Sequence, residues 1–164
     1  MITLPVPAPL QVLVAAMVPI GELRLSIPLG VYGLGLPWPQ ALLLSLVGNM
    51  APVLVVLPLL DRVARLLQLR PNPLGRLLEW RVQRLQAVHA ERFLKWGAAA
   101  LVLFVAVPLP FTGAWTGTLA AWAFRVPYKL AVLFIGVGVL IAGAIVTAAT
   151  LVGGQVAAFL LAYR

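Results

Sequence analysis

Four apolar blocks fill most of this chain, and two of them are interrupted near the middle by proline, glycine or charge. Of the 164 residues, 63% are hydrophobic and only 10% are charged, whereas a soluble domain carries about 25% charged residues. Lipid is therefore the expected solvent. Because backbone groups in lipid must be satisfied within the protein, the blocks are expected to form helices. The sequence predicts an all-α integral membrane protein with a single membrane domain, 1–164.

The uninterrupted blocks are predicted to cross the membrane. A spanning helix needs about 20 apolar residues, and the ranges 39–60 and 127–163 meet this requirement. The second range is rich in glycine and alanine, which allow membrane helices to approach closely. Beyond position 153, the chain is expected to extend this helix, to kink, or to form a short separate segment.

The interrupted blocks, 8–36 and 97–124, are poor spans because each proline removes a backbone donor and obstructs the helix. A half-helix that enters the membrane, turns and returns explains both blocks, so each is predicted to be a re-entrant helical hairpin. Such irregular backbone is tolerated at membrane depth where it is buried in protein or lines a cavity. The residues expected to shape the two loop tips are Pro19, Pro28, Pro108, Pro110, Gly113 and Gly117.

The distribution of positive charge predicts orientation rather than nucleic-acid binding. Eight of the twelve basic residues fall in the polar segment 61–96, which has the apolar periodicity of an amphipathic helix on anionic lipid. With two re-entrant hairpins, Arg125 and Lys129 share the cytoplasmic side with this segment, as the positive-inside rule requires. The first basic residue is Arg24, so no cleaved signal peptide is expected.

The two halves also suggest an inverted repeat, in which a broken hairpin is followed by a span. Opposed repeats with broken helices are typical of secondary transporters. Three positions of the first half recur in the same order in the second: Pro19, Pro39 and Gly48 correspond to Pro108, Pro127 and Gly136.

Two motifs resemble those of the bacterial small multi-drug export protein family. The first runs from Pro19 through Glu22 and Arg24 to Pro28, and the second is the longer stretch 108–117. The opposed hairpins further resemble the DedA superfamily. These resemblances imply a multi-pass transporter in the bacterial cytoplasmic membrane that moves an amphipathic or anionic substrate, either a lipid phosphate or an exported small molecule.

Glu22 and Arg24 are the leading candidates for substrate or proton binding, because an ionisable residue at membrane depth indicates function. Two residues apart, they do not face each other on a helix, but they can converge at a turn. Arg24 would hold a phosphate oxygen, and Glu22 would take up and release a proton. The alternative is an ion pair that closes the hairpin, or contacts from Glu22 to the opposite loop.

Four uncharged residues complete the predicted site. In the second loop, Thr112 and Thr116 offer hydroxyl groups, and Trp115 either lines the cavity or packs. In the first span, Asn49 would either bond across to a loop tip or contact the substrate. For the second loop, a structural role is preferred over direct substrate contact, and Gly113 and Gly117 permit close helix packing.

Several classes of function are excluded or disfavoured. The chain has no Cys and a single His, His89 in the polar segment, so no metal site and no cofactor are expected. No nucleophile–base constellation lies in the apolar blocks, so an enzyme is not predicted. Expected partners are membrane lipids and a second copy of the chain that helps to seal the cavity. The alternative to a transporter is a membrane scaffold or assembly protein without a transport cycle.

Overall fold

The structure is a computed structural model that describes residues 6–68, 97, 99–108 and 112–162, with side chains for 6–63, 97, 99–108 and 112–155. Every regular element within these ranges is helical, which confirms the all-α prediction. A π-helical turn, Leu29–Gly33, directly follows the helix that ends at Pro28. The helices are α1 (Ala8–Met17), α2 (Glu22–Pro28), α3 (Trp38–Gln68), α4 (the helical residues 99–106), α5 (Ala114–Ala123) and α6 (Tyr128–Ala162).

Two of these helices are long and apolar enough to cross a membrane, as the two uninterrupted blocks predict. Among the described residues they are Trp38–Val63, with 26 residues, and Tyr128–Gln155, with 28. At 1.5 Å per residue either exceeds the hydrocarbon thickness of about 30 Å. The last helix runs through Gly153 without interruption. Residues 69–96 of the polar segment, where the amphipathic helix is predicted, lie outside the residues that the structure describes.

The two interrupted blocks form broken helices. The first helix ends at Met17, and α2 begins at Glu22 after a short turn. In the second block, helical residues end at 106, and α5 begins at Ala114. Proline stands in or next to each break, where it removes a backbone donor. The breaks fall where the sequence predicts them, while the course of each block relative to a membrane stays a prediction.

The apolar core lies between the long helices and the broken ones. Ile27 of α2, Val53 of α3, Val105 of α4 and Ile135 of α6 are all buried in one cluster. Large apolar side chains also cover the outside of the long helices, such as Leu43, which is 63% exposed. Soluble monomers rarely expose continuous apolar surface of this kind, so this outer face suits lipid.

The beginnings of α3 and α6 have the same environment, residue by residue. Positions 34–49 and 124–139 follow an identical sequence of buried, half-buried and exposed residues. Both stretches open with a left-handed backbone residue, Gly35 at φ 67° and Arg125 at φ 52°. A proline then precedes each helix, and its carbonyl group accepts the N–H of Ala41 in α3 and Ala131 in α6.

Each long helix packs against a shorter helix at one glycine: α3 packs against α1, and α6 packs against α4. A Cβ atom on Gly48 would lie 2.8 Å from the Cβ of Ala16 in α1 and would overlap the Leu13 carbonyl oxygen. A Cβ atom on Gly138 would lie 2.7 Å from the Cβ of Val105 in α4 and 2.9 Å from the Val102 carbonyl oxygen. Gly138 therefore corresponds to Gly48, rather than the Gly136 suggested by the sequence.

The two long helices pack against each other and run antiparallel. Near the start of α6, the Tyr128 hydroxyl donates to the Leu54 carbonyl oxygen of α3 at 3.5 Å. Further along α6, Gly143 lies against Leu46 and Leu42, which are nearer the start of α3. The start of α6 therefore lies beside a later part of α3, and a later part of α6 lies nearer the start of α3, as in a pair of antiparallel helices.

Candidate functional site

The two helix breaks lie against each other, and their contacts join the first half of the chain to the second. Glu22 stands at the first residue of α2 with a φ of 48°, a left-handed conformation that is strained for a side chain with a Cβ atom. Strained backbone persists only where surrounding contacts hold it, and it concentrates at functional sites. The contacts here come from the second break.

The carboxylate of Glu22 caps the beginning of α5. Its Oε1 atom accepts a hydrogen bond from the Trp115 N–H at 3.2 Å, and the residue is 6% exposed. The first N–H groups of a helix have no partner within the helix and carry a partial positive charge. This one contact therefore gives the Trp115 N–H group a hydrogen-bond acceptor and also stabilises the buried Glu22 carboxylate.

Gly113 makes this close approach possible. Its φ is 142°, and a Cβ atom at this position would overlap the Glu22 carboxylate. L-residues are essentially absent from this backbone region, so both the conformation and the available space require glycine. Gly113 lies in the turn before α5, and its role at the tip of a re-entrant loop stays a prediction.

Arg24 holds the second break from the other side. Its Nη2 atom donates to the Thr112 carbonyl oxygen and, at 3.1 Å, to Thr112 Oγ1. The Thr112 hydroxyl in turn donates to the Val107 carbonyl oxygen at 2.6 Å. Nε and Nη1 of Arg24 have no hydrogen-bond partner among the residues described. One nitrogen of the guanidinium thus bonds the second break.

Trp115 and Thr116 serve the packing of the second break. The Trp115 indole N–H donates to the Met17 carbonyl oxygen at the end of α1, at 3.0 Å. The Thr116 hydroxyl donates back to the Gly113 carbonyl oxygen at 3.3 Å. The sequence predicts that both side chains contact substrate or pack, and their hydrogen bonds in this structure are internal.

Asn49 lies on α3, across from Glu22. Two contacts give the register of α2 and α3: Ser26 Oγ donates to Ser45 Oγ at 2.7 Å, and a Cβ on Gly30 would lie 2.8 Å from the Ala41 Cβ. One turn before Ser26 is Glu22, and one turn after Ser45 is Asn49. Asn49 is 1% exposed, and its Oδ1 atom has no hydrogen-bond partner among the described residues.

A small cavity of about 10 Å³ lies between these groups. Glu22, Arg24 and Asn49 line it together with Gly113, and Val139 and Val146 of α6 contribute apolar wall. A space of this size holds about one water molecule. The cavity draws on both halves of the chain.

The remaining predicted residues divide between the cavity and its surroundings. Pro108 lines the cavity, whereas Pro19 is exposed and Pro28 ends α2. A Cβ on Gly117 would lie 2.6 Å from Val105, so this glycine packs α5 against α4. Pro110 lies outside the described residues.

Sequence reasoning missed the buried Ser26–Ser45 pair and the Met17 carbonyl group. A signal for the first was present: Glu22 and Ser26, like Ser45 and Asn49, are four residues apart and share a helix face. Among the described residues, no group of three or more His, Asp or Glu side chains is placed to hold a metal ion.

The chain matches a known protein family. The sequence model of the family described as "Putative small multi-drug export protein" matches residues 22–145, more than half of the chain. No curated protein and no solved structure matches. The matched range begins at Glu22, directly after the first break, and contains the second break. Every cavity residue named above except Val146 falls within it.

Proposed function

The chain belongs to the small multi-drug export protein family, and on that premise we propose that it is a transporter of the bacterial cytoplasmic membrane that moves an amphipathic or anionic substrate. The observation that carries this proposal is the position of Glu22 and Arg24. Both charged side chains border a cavity at the meeting point of two broken helices, and ionisable groups at membrane depth mark substrate and ion pathways.

The proposed architecture is an inverted repeat of two re-entrant hairpins, each followed by a span, as in the DedA superfamily. Helix α1 has 10 residues and is about 15 Å long, half the hydrocarbon thickness. The matching glycine contacts of α3 and α6, and the antiparallel course of these helices, support two similar halves of opposite orientation. Transporters with this plan bind substrate near the midplane, between the repeats.

Within this proposal, the free side of Arg24 receives an anionic oxygen. A guanidinium offers donors in a planar fork that matches phosphate oxygens, and Nε and Nη1 are unused among the described contacts. The largely uncharged helices and the arginine beside the break favour the phosphate head group of a lipid, with the hydrocarbon tail outside in the bilayer. Because the cavity has room for about one water molecule, the head group would enter it in a more open conformation. An exported small molecule with a compact anionic group is the other candidate substrate.

The orientation and partners follow from charge and size. The basic segment 61–96, Arg125 and Lys129 are placed on the cytoplasmic side, next to anionic lipid head groups. A second copy of this short chain is proposed to close the open side of the cavity, so the transporting unit is a homodimer in contact with membrane lipid.

A scaffold without a transport cycle is the second candidate, and one observation favours it. Glu22 bonds to Trp115, and Arg24 bonds to Thr112, so both charged residues tie the two halves together. If this were their whole role, substitutions at either position would reduce the amount of folded protein in proportion to any loss of activity.

Reconstitution into liposomes tests the transporter directly. Wild type, Glu22→Gln, Arg24→Gln and Arg24→Lys would be compared at equal amounts of folded protein, with Arg62→Gln as a control because Arg62 is exposed. Translocation of a labelled polyprenyl phosphate is the measured quantity, with a labelled anionic small molecule in a second arm.

We expect wild type and Arg62→Gln to move at least one probe and the folded Glu22 and Arg24 variants to lose at least 90% of that rate, roughly 1.4 kcal/mol in the barrier. Equal rates in all folded variants would remove Glu22 and Arg24 from the mechanism. No transport of either probe by wild type would favour the scaffold.

A further inference from the structure

Exposed tryptophan and tyrosine side chains lie at both ends of the long helices. Trp38 and Tyr128 are the first residues of α3 and α6, and they are 47% and 45% exposed. Because these helices run antiparallel, the two residues lie at opposite ends of the protein. Tyr32, which is 57% exposed, stands in the π-helical turn shortly before Trp38. Such side chains concentrate where a bilayer meets water, because the ring suits the apolar layer and its polar group suits the head groups.

Two hydrogen bonds give the distance between the aromatic residues at opposite ends. The Tyr128 hydroxyl reaches the Leu54 carbonyl oxygen of α3, and α3 rises about 24 Å from Trp38 to Leu54 at 1.5 Å per residue. The Tyr32 hydroxyl donates to the Thr150 carbonyl oxygen of α6 at 2.6 Å, and α6 rises about 33 Å from Tyr128 to Thr150. These two distances bracket the hydrocarbon thickness of a bilayer, about 30 Å.

The surface of α3 and α6 between these ends is uncharged. The ranges 39–60 and 130–155 contain no Asp, Glu, Lys or Arg, and large apolar side chains point outward there, such as Val47, which is 54% exposed. At the Tyr128 end, by contrast, Arg62 and Lys129 are exposed. An uncharged apolar band with aromatic residues at both edges is the surface that a membrane helix presents to lipid.

The cavity lies halfway between the two ends. Asn49 is about 16 Å along α3 from Trp38, and Val139 is about 16 Å along α6 from Tyr128. Both residues line the cavity. Since the helices are antiparallel, the two distances are measured from opposite ends, so the cavity is equally far from each. Glu22 borders the same cavity and therefore shares this depth.

We propose that Tyr32 and Trp38 lie at one interface of a lipid bilayer and Tyr128 lies at the other, with the cavity at mid-depth. The partner of this surface is the bilayer itself: head groups contact the three rings, and acyl chains cover α3 and α6 between them. The inference rests on insertion into a membrane and not on transport, so it applies equally to a transporter and to a scaffold.

Nitroxide labels on single cysteines measure depth in a bilayer directly. The chain has no cysteine, so each full-length variant carries one label. The variants would be placed in nanodiscs of phosphatidylcholine and phosphatidylglycerol, and depth would be determined from collisions of the label with oxygen and with a water-soluble nickel chelate. Three pairs of exposed positions are equally distant from Trp38 along α3 and from Tyr128 along α6: Gln40→Cys with Leu130→Cys, Val47→Cys with Val137→Cys, and Leu59→Cys with Ala149→Cys.

We expect Val47→Cys and Val137→Cys to carry the deepest labels, about 13 Å inside the edge of the hydrocarbon layer. The other four labels should lie within about 5 Å of an edge, and the two members of each pair should agree within one helical turn of about 5.4 Å. Agreement within the pairs would show that the two halves are placed symmetrically about the midplane.

A deepest label at either outer pair, a larger difference between Val47→Cys and Val137→Cys, or exposure to the nickel chelate along the whole of either helix would each overturn the proposal. These outcomes are separate from failure of the transport function. The expected depths in a protein that moves neither transport probe would keep the bilayer placement and remove the transporter, while transport with displaced depths would do the reverse.

Discussion

Gly48 and Gly138 make the same contact in opposite halves of the protein: each brings a long helix against the backbone and a side-chain Cβ atom of a shorter helix. Gly48 meets α1, and Gly138 meets α4. Because α3 and α6 run antiparallel, these two similar helix contacts have opposite orientations in the protein. The pair is a local similarity between the two halves, and it supports the proposed inverted repeat.

Substituting these glycines by alanine should destabilise the protein at both positions to a similar extent. The added methyl group would meet backbone and Cβ atoms, which cannot move away as a flexible side chain can, and overpacking of this kind costs about 1–3 kcal/mol. Thermal unfolding in detergent would measure the effect. Gly136→Ala is the control, since its Cβ would lie 3.9 Å from the nearest atom, Met50 Cε, and it should not be destabilised.

Gly113→Ala should separate the two breaks. The variant must relieve an overlap with the Glu22 carboxylate and a φ of 142°, so we expect a loss of at least 2 kcal/mol, roughly the sum of backbone strain and a lost buried contact. The free energy of unfolding would be compared with that of Gly153→Ala, where the added Cβ meets nothing within 4 Å. Equal stability of the two variants would show that the turn is not held by this contact.

The turn before α6 contains a residue that the sequence does not favour there. Arg125 has a φ of 52°, which costs a residue with a Cβ atom about 1–2 kcal/mol. We expect Arg125→Gly to raise the free energy of unfolding by about 1 kcal/mol. Gly35→Ala, at the matching turn before α3, should lower it by a similar amount, because its added Cβ meets only open space and strain alone acts. A stabilised Gly35→Ala would contradict this reading.

The hydrogen bond between Ser26 and Ser45 predicts non-additive substitutions. Either serine replaced by alanine leaves the other hydroxyl buried without its partner, at a cost of about 1–3 kcal/mol. The double variant removes both groups, so it should be less destabilised than the sum of the single variants. A double-mutant cycle on unfolding free energies measures this coupling, and strict additivity would mean that the bond at 2.7 Å does not contribute.

Local signals made much of this fold predictable. Apolar length identified α3 and α6, and proline with glycine identified the breaks before Glu22 and before Ala114, because helix length and helix interruption depend on nearby residues. The family motifs are also short stretches of neighbouring residues, and they indicated Glu22, Arg24 and the second loop.

The pairing of groups across the fold was not predictable in this way. That Arg24 bonds to Thr112, or that Asn49 faces the cavity without a donor, depends on how separate helices pack. The repeat register shows the same limit. Gly136 matches Gly48 by sequence spacing, but Gly138 is the glycine in contact with α4, since the two halves differ in the length of their loops.

The central claim is that two broken hairpins enter the membrane from opposite faces, and side-specific labelling of single cysteines tests it most directly. The chain contains no cysteine, so each introduced thiol is the only target. Pro7→Cys and Gln40→Cys flank the first hairpin, and Lys129→Cys follows the second; all three positions are exposed.

An impermeant maleimide would be applied to intact and to permeabilised cells. The account predicts that Pro7→Cys and Gln40→Cys react in intact cells and that Lys129→Cys reacts only after permeabilisation. Labelling of Pro7→Cys and Gln40→Cys from opposite faces, or of Gln40→Cys and Lys129→Cys from the same face, would contradict it.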